Sequence, residues 1–484
     1  MTVKTLQSAG ILFSFKKLQN GPVSLIMYQV TENGCCSPNV SDCEEKQTEW
    51  KHKPITDIPI PDANDPDVFD PDCDAHNPVA VTYQDVSAAY YRIRDGIIRT
   101  PCKKSQLSKI YNMNIFLKLE LQQVTGSFKE RGARNFLLQL TPEQAKRGVI
   151  ASSAGNHGQA LAYHGKNLNI PVTIVMPVFA PLMKVENCLS HGANVILKGA
   201  DMSQAKPYAL KVAKINDIRY VNGYDHPQIL AGQGSVALEI MEQVPTVDAI
   251  LVPVGGGGLL AGIAVAVKGI NPKVQVIGVE SDQCAGFGRS MQAGEVTYTA
   301  CSSTVADGLA VPLVGVNSLH TCLGLVDKMI TVEESHIHRA IIRLLEVEKC
   351  VAEGAGATAL AAILAGYLPE LEGKTVVPII SGGNIDTTIL GRVIDRGLTL
   401  EGRLCRFLVV VSDRPGGIAE MCCMLRDLGV SIKDIFHERV WLKSSIFNVQ
   451  LRVVCETRDT NHAAELERAL RKKYAEVLWG SAAI

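Results

Sequence analysis

One lysine, Lys129, stands in TGSFKERGARN (residues 125–135), between a glycine turn and the start of a helical pattern. A lysine becomes a nucleophile only when its ammonium gives up a proton, which burial or a neighbouring cation favours; the free amine then condenses with an aldehyde. Gly126 permits a turn that a side chain obstructs, and Ser127 is placed to cap a helix running through Glu130, Arg131, Ala133 and Asn135. Lys129 would then point from a fixed position. A lone helix lysine is far more often a surface residue, so Lys129 by itself decides nothing.

Three further segments supply what a small ligand needs. SSAGNHGQALA at 152–162 follows an apolar run and offers the Ser152 and Ser153 hydroxyls and the Asn156 amide, with small residues through Gly155 that let backbone approach a ligand. VPVGGGGLLAG at 252–262 reads as a buried strand that breaks into Gly255, Gly256, Gly257 and Gly258 and re-forms as a helix, whose first N–H groups cradle an anion. No charge lies between Asp248 and Lys268, but four glycines and Pro253 favour a buried strand-turn-helix over a membrane span. VVPIISGGN at 376–384 is another buried strand ending in a polar turn, where Ser381 can bond a ring nitrogen. Singly, each segment reads as an ordinary turn. Together, each at the carboxyl end of an expected strand, they describe one site at the edge of a mainly parallel sheet.

SFKERGA, SAGNHGQ, GGGGL and SGGN, in this order, resemble the fold type II pyridoxal-phosphate enzymes and, within them, the serine/threonine dehydratases, over roughly residues 80–395. The resemblance implies an α/β fold of two open, mainly parallel subdomains. It implies that Lys129 carries pyridoxal 5'-phosphate with Phe128 beside the ring, and that Asn156 bonds the cofactor's 3-hydroxyl. Gly255 to Gly258 would hold the phosphate, Ser381 would face the pyridine nitrogen, and Glu353 would lie near the ring. Ser152, Ser153, Ala154, Gly155 and His157 would line the substrate side, His157 more as packing for the glycine loop than as a catalyst. A neutral serine at the ring nitrogen does not hold it protonated as a carboxylate would, which suits β-elimination with Lys129 as general base.

The same fold hosts several reactions, so local residues must choose among them. Racemases of this resemblance place a serine immediately before GNHG; here that position is Ala154, which cannot return a proton. ADGLAV at 306–311 resembles the threonine dehydratase form of the substrate-side loop. The expectation is a lyase converting L-threonine to 2-oxobutanoate and ammonia, with side activity on L-serine. The alternatives are a serine dehydratase or racemase and, in another class, a cofactor-binding regulator without turnover. Glu280 resembles a cation ligand of some relatives, but no carboxylate follows near Gly286, so no metal is expected.

Residues 404–484 change pattern and read as strand, helix, two strands, helix and strand, the ferredoxin-like plan. With its RPGGIAE turn this unit resembles an ACT domain, implying a small-molecule effector and allosteric control. The expected layout is a largely disordered leader at 1–78, a catalytic domain at 79–395 with a smaller subdomain near 126–219, and the ACT-like unit at 404–484. Residues 8–18 suggest a short amphipathic helix, and the proline- and aspartate-rich stretch 54–74 an extended leader. The 48 basic and 49 acidic residues leave no broad footprint for nucleic acid or anionic membrane. The 14 cysteines lack CxxC spacing, which argues for free intracellular thiols over zinc or disulfides, with Cys284 a small buried hydrophobe. A cytoplasmic homodimer or homotetramer is expected, with mitochondrial import the alternative.

Overall fold

Valine- and isoleucine-rich runs without polar alternation become strands buried on both faces, as parallel sheets require. The computed structural model describes residues 57–483 except 63–64, 441 and 443–444, together with three strands before residue 30. The larger sheet has six strands in the order Lys328–Val332, Gln275–Ser281, Ala249–Pro253, Thr375–Ile380, Asn114–Leu119 and Cys102–Lys104, parallel except for the last pair. Every residue of Ala249–Pro253 and Thr375–Ile380 is buried, with one apolar core on each face of the sheet. A second, four-stranded parallel sheet runs Asn194–Leu197, Val172–Met176, Val149–Ser152 and Arg219–Tyr220. Its helices Asn156–Leu168, Leu182–Ser190 and Met202–Ile215 complete a smaller lobe.

The two lobes share the helix Lys129–Leu137, which packs on both Pro227–Gln243 and Asn156–Leu168. It is fixed by charges the sequence reading passed over. Arg131 is fully buried and donates a bidentate pair to Glu120 at 2.7 Å, with a third nitrogen contact to Glu239 at 2.8 Å. Lys118, equally buried, donates to Glu239 at 2.6 Å and to the Thr100 carbonyl at 2.8 Å. Two cations thus face two carboxylates, and the desolvation of each charge is offset by its neighbours.

Ala249–Pro253 followed by the helix Gly258–Ile270 is the strand-turn-helix expected of the uncharged run. No helix among the described residues is long and apolar enough to cross a membrane. The C-terminal unit has strands Leu404–Ser412, Ser431–Glu438, Asn448–Glu456 and Val477–Trp479, with helices Gly417–Asp427 and Thr460–Lys473 between them. Sheet order places the second strand at one edge, then the third, the first and the fourth, all antiparallel, in agreement with the ferredoxin-like plan.

Three expectations need correction. In the separate unit Met1–Lys51, the strand Ile11–Lys17 pairs antiparallel with Leu6–Ser8 and Val23–Gln29, where residues 8–18 suggested a helix. Short apolar runs do not separate the two periods, and strand pairing decides. The rest of residues 1–56 lies outside the described residues. Second, the acidic stretch after residue 56 is extended but tethered, since Asp57 pairs with Lys198, Asp65 with Lys211, Asp67 with Lys214 and Asp72 with Arg219. Third, Cys284 is not a lone hydrophobe: it forms a disulfide with Cys301, whose Cα lies 4.6 Å from its own. Nine other described cysteines, counted singly, are free.

Candidate active site

Lys129 opens its helix, but the expected cap is not made. Phe128 occupies the cap position without a side-chain bond, and the Ser127 hydroxyl is buried without a partner. Backbone does the work instead. Phe128 N–H donates to the Ser381 carbonyl at 3.0 Å, Gly383 N–H donates to the Gly126 carbonyl at 2.9 Å, and Ser127 bridges Gly382. TGSFK and SGGN, more than 250 residues apart in sequence, are therefore zipped together. Gly126 has φ +75°, and a Cβ there would lie 2.7 Å from Asn384 Oδ1, so two separate constraints require glycine.

The Lys129 ammonium donates to the Gly223 carbonyl at 2.5 Å and lies 5.2 Å from the Phe128 ring centroid. Desolvation pulls its pKa down to about 8, against the pull of the Glu353 carboxylate. Glu353, at the start of the helix Gly354–Leu364, is pushed up to about 7 by its own burial and by Asp307. Desolvation and the nearby Lys129 push His157 down to about 3, so its ring is neutral at ordinary pH. The neutral ring donates from Nε2 to the Val221 carbonyl at 3.1 Å.

Asn156 begins the helix Asn156–Leu168 and donates to Glu353 Oε1 at 2.6 Å while accepting from Asn384 at 2.8 Å. The Ser153 hydroxyl accepts from Gly155 N–H at 3.3 Å and Gly158 N–H at 3.1 Å, which folds the loop, whereas the buried Ser152 hydroxyl has no partner. A side chain added at Gly155 would meet nothing within 4 Å beyond its chain neighbours, so the space at Gly155 is open.

The glycine run is tightly packed. A Cβ at Gly255 would come within 2.8 Å of Leu309, at Gly256 within 2.4 Å of the Tyr224 ring, and at Gly257 within 2.0 Å of Phe287. Gly257 also has φ +98°. Gly258 starts its helix with no side-chain cap, leaving the first N–H groups for an anion. Leu309 belongs to the 306–311 loop, whose Asp307 reaches across to Lys184 of the smaller lobe at 2.7 Å. Ser381, at the end of Thr375–Ile380, is buried. The Glu280 carboxylate accepts from Phe287 N–H at 2.6 Å and Gly288 N–H at 2.9 Å, behind the Phe287 ring that packs on Gly257. Donors already face both of its oxygens.

The structure adds residues that the sequence reading did not single out as site residues. Asn384, last of the SGGN turn, ties Thr125 to Asn156. Gly223 acts through a backbone carbonyl, a group that leaves no trace in residue type. Lys184 and Asp307 meet across the lobes, a pairing that a separation of 123 positions conceals.

A family model described as pyridoxal-phosphate dependent enzyme matches residues 93–382. An L-threonine ammonia-lyase of Thermotoga maritima is 40% identical over 398 residues, 82% of this chain and 99% of that protein. The processed threonine deaminase isoform 2 of Solanum lycopersicum superposes with a TM-score of 0.62 at 33% identity, covering 66% of this chain and 95% of that one. Maize serine racemase superposes with a TM-score of 0.62 at 32% identity, covering 66% and 99% respectively.

Proposed function

The chain belongs to the family of pyridoxal-phosphate-dependent enzymes, and from that membership we propose that it is an ammonia-lyase converting L-threonine to 2-oxobutanoate and ammonia, with L-serine as a lesser substrate giving pyruvate. The observation that carries this reading is a lysine amine held on the Gly223 carbonyl, with its pKa drawn down to about 8, on the segment TGSFK, which SGGN ties to Asn156.

The side chains present suit the cofactor. An uncapped helix start at the last of four glycines suits a phosphate, and a partly deprotonated amine suits an aldehyde. When bound, pyridoxal phosphate supplies that aldehyde for the substrate amine and a ring that spreads negative charge from Cα. In this reading Lys129 would hold the cofactor, and its Nζ would take the Cα proton as general base. Ser381 meets the ring nitrogen with a neutral hydroxyl. Asn156, oriented by Glu353 and Asn384, meets the ring's hydroxyl. Ser152, with its hydroxyl unpaired, and Ser153 with Gly155 bind the substrate carboxylate.

Ala154 favours elimination, because it offers no proton to the second face of Cα. Incubation with L-threonine, L-serine and D-serine, scoring 2-oxo acid and product chirality, tests the proposal. Oxo acid with no inversion is expected. Inversion without ammonia would make the chain a racemase, and no product from any substrate would make it a regulator.

For residues 404–484 the proposal is an ACT-like effector unit acting on a cytoplasmic homo-oligomer. Titrating activity with isoleucine, valine, AMP and ADP tests the first part, and a flat response to all four would leave the unit a structural role. Such control needs two conformations that bind the effector unequally.

A further inference from the structure

The Gly223 carbonyl that receives the Lys129 amine sits in a turn with no regular structure of its own, so something else must hold it. Asn222 does so from one side. Its Oδ1 accepts from Tyr224 N–H at 3.2 Å and Asp225 N–H at 3.1 Å, and its Nδ2 donates to Asp70 Oδ2 at 3.3 Å. Asp70 and Asn222 are both buried, which strengthens bonds that water would weaken. From the other side, the Asp225 carboxylate accepts from Val316 N–H at 3.0 Å and Ser318 N–H at 2.9 Å. Asn317 then closes the knot, donating to the carbonyls of Asp72 at 2.7 Å and Asp225 at 3.0 Å and accepting from Val79 N–H at 2.7 Å. On the side-chain side of Gly223 stands His157, whose ring would be 2.6 Å from a Cβ there, so the ring packs directly on the backbone of the turn.

We propose that the segment around Asp70 is a positioning strap: Asp70, acting through Asn222, fixes the Gly223 carbonyl as a dock that aims the Lys129 amine whenever that amine is not bonded to the cofactor. The proposal rests on Lys129 being the attachment lysine. It assigns the aspartate-rich stretch a role in the site, through one of its two aspartates that reach the turn region rather than through its surface pairs. Asp70 and Asn222 are positioning residues and touch no substrate.

The test is the rate at which the cofactor-depleted full chain, mixed with pyridoxal 5'-phosphate, develops its visible absorbance band. Asn222→Asp sets two carboxylates against each other and is expected to slow the band's appearance about tenfold or more, since small misplacements of a reacting group carry large rate penalties. Asp70→Asn alone keeps an oxygen acceptor and has a small effect. The exchanged pair, Asp70→Asn with Asn222→Asp, restores donor and acceptor in reverse and recovers the parent's rate. Asp67→Asn, on the same strap but paired with Lys214, loads like the parent. If Asn222→Asp does not fold alone, Asn222→Ala takes its place and is expected to load slowly. Loading at the parent's rate by the Asn222 variant, or an exchanged pair no faster than Asn222→Asp, overturns the proposal. A parent chain that never develops the band overturns the attachment reading first and this one with it.

Discussion

Arg131 and Lys129 sit two residues apart on one helix and meet burial in opposite ways. Burial works against the Arg131 charge, but Glu120 and Glu239 outweigh it, and its pKa rises. Lys129 has one carbonyl and a more distant carboxylate, and its pKa falls to about 8. A buried charge that is fully paired becomes a structural fixture, whereas one left short of partners becomes a reactive amine. The helix needs both, because the first holds still what the second must aim.

The comparison breaks most sharply at Lys129 itself. Lys129→Ala is expected to remove the visible cofactor band and lower turnover by about 10⁴-fold, as loss of both the attachment point and the general base demands, with thermal unfolding nearly unchanged. Arg131→Leu should do the reverse in kind. It strands Glu120 and Glu239 without a guanidinium, and chemical denaturation should show a loss of about 3–5 kcal/mol.

Smaller effects sharpen the contrast. The Glu353 carboxylate supports the Lys129 charge, so Glu353→Gln removes that support and the amine titrates lower. The pH limb of the rate at which the cofactor-free chain takes up pyridoxal 5'-phosphate, set by the free Lys129 amine and expected near pH 8 in the parent, then moves to more acidic pH, with only a several-fold change in the plateau. A limb that moves to higher pH would contradict this assignment. The smallest effect is expected for Ala154→Ser, which places a hydroxyl immediately before Gly155, where space is open. Chiral analysis should detect some inverted amino acid, still far below oxo-acid formation.

How much of this was legible in the sequence depended on how local the signal was. Lys129, the glycine run and SGGN could be read because a turn after an apolar strand is written in adjacent residues. The Arg131 quartet could not, since Lys118 finds Glu239 across 121 residues and Arg131 finds it across 108. The aspartates of 57–72 read as a solvated tail for the same reason: Asp67 meets Lys214 across 147 residues. Ser127 looked like a cap, but the backbone of Ser381 and Gly383 already fixes that turn, and the hydroxyl is left unpaired. Ile11–Lys17 went wrong because seven residues are too few to separate a helical from a strand period.

The most direct measurement is to reduce the pyridoxal-phosphate-loaded protein with borohydride and locate the modified peptide by mass. Label on Lys129 alone, lost in Lys129→Ala, is the predicted result; label on Lys118 or any other lysine, or none at all, would contradict the account.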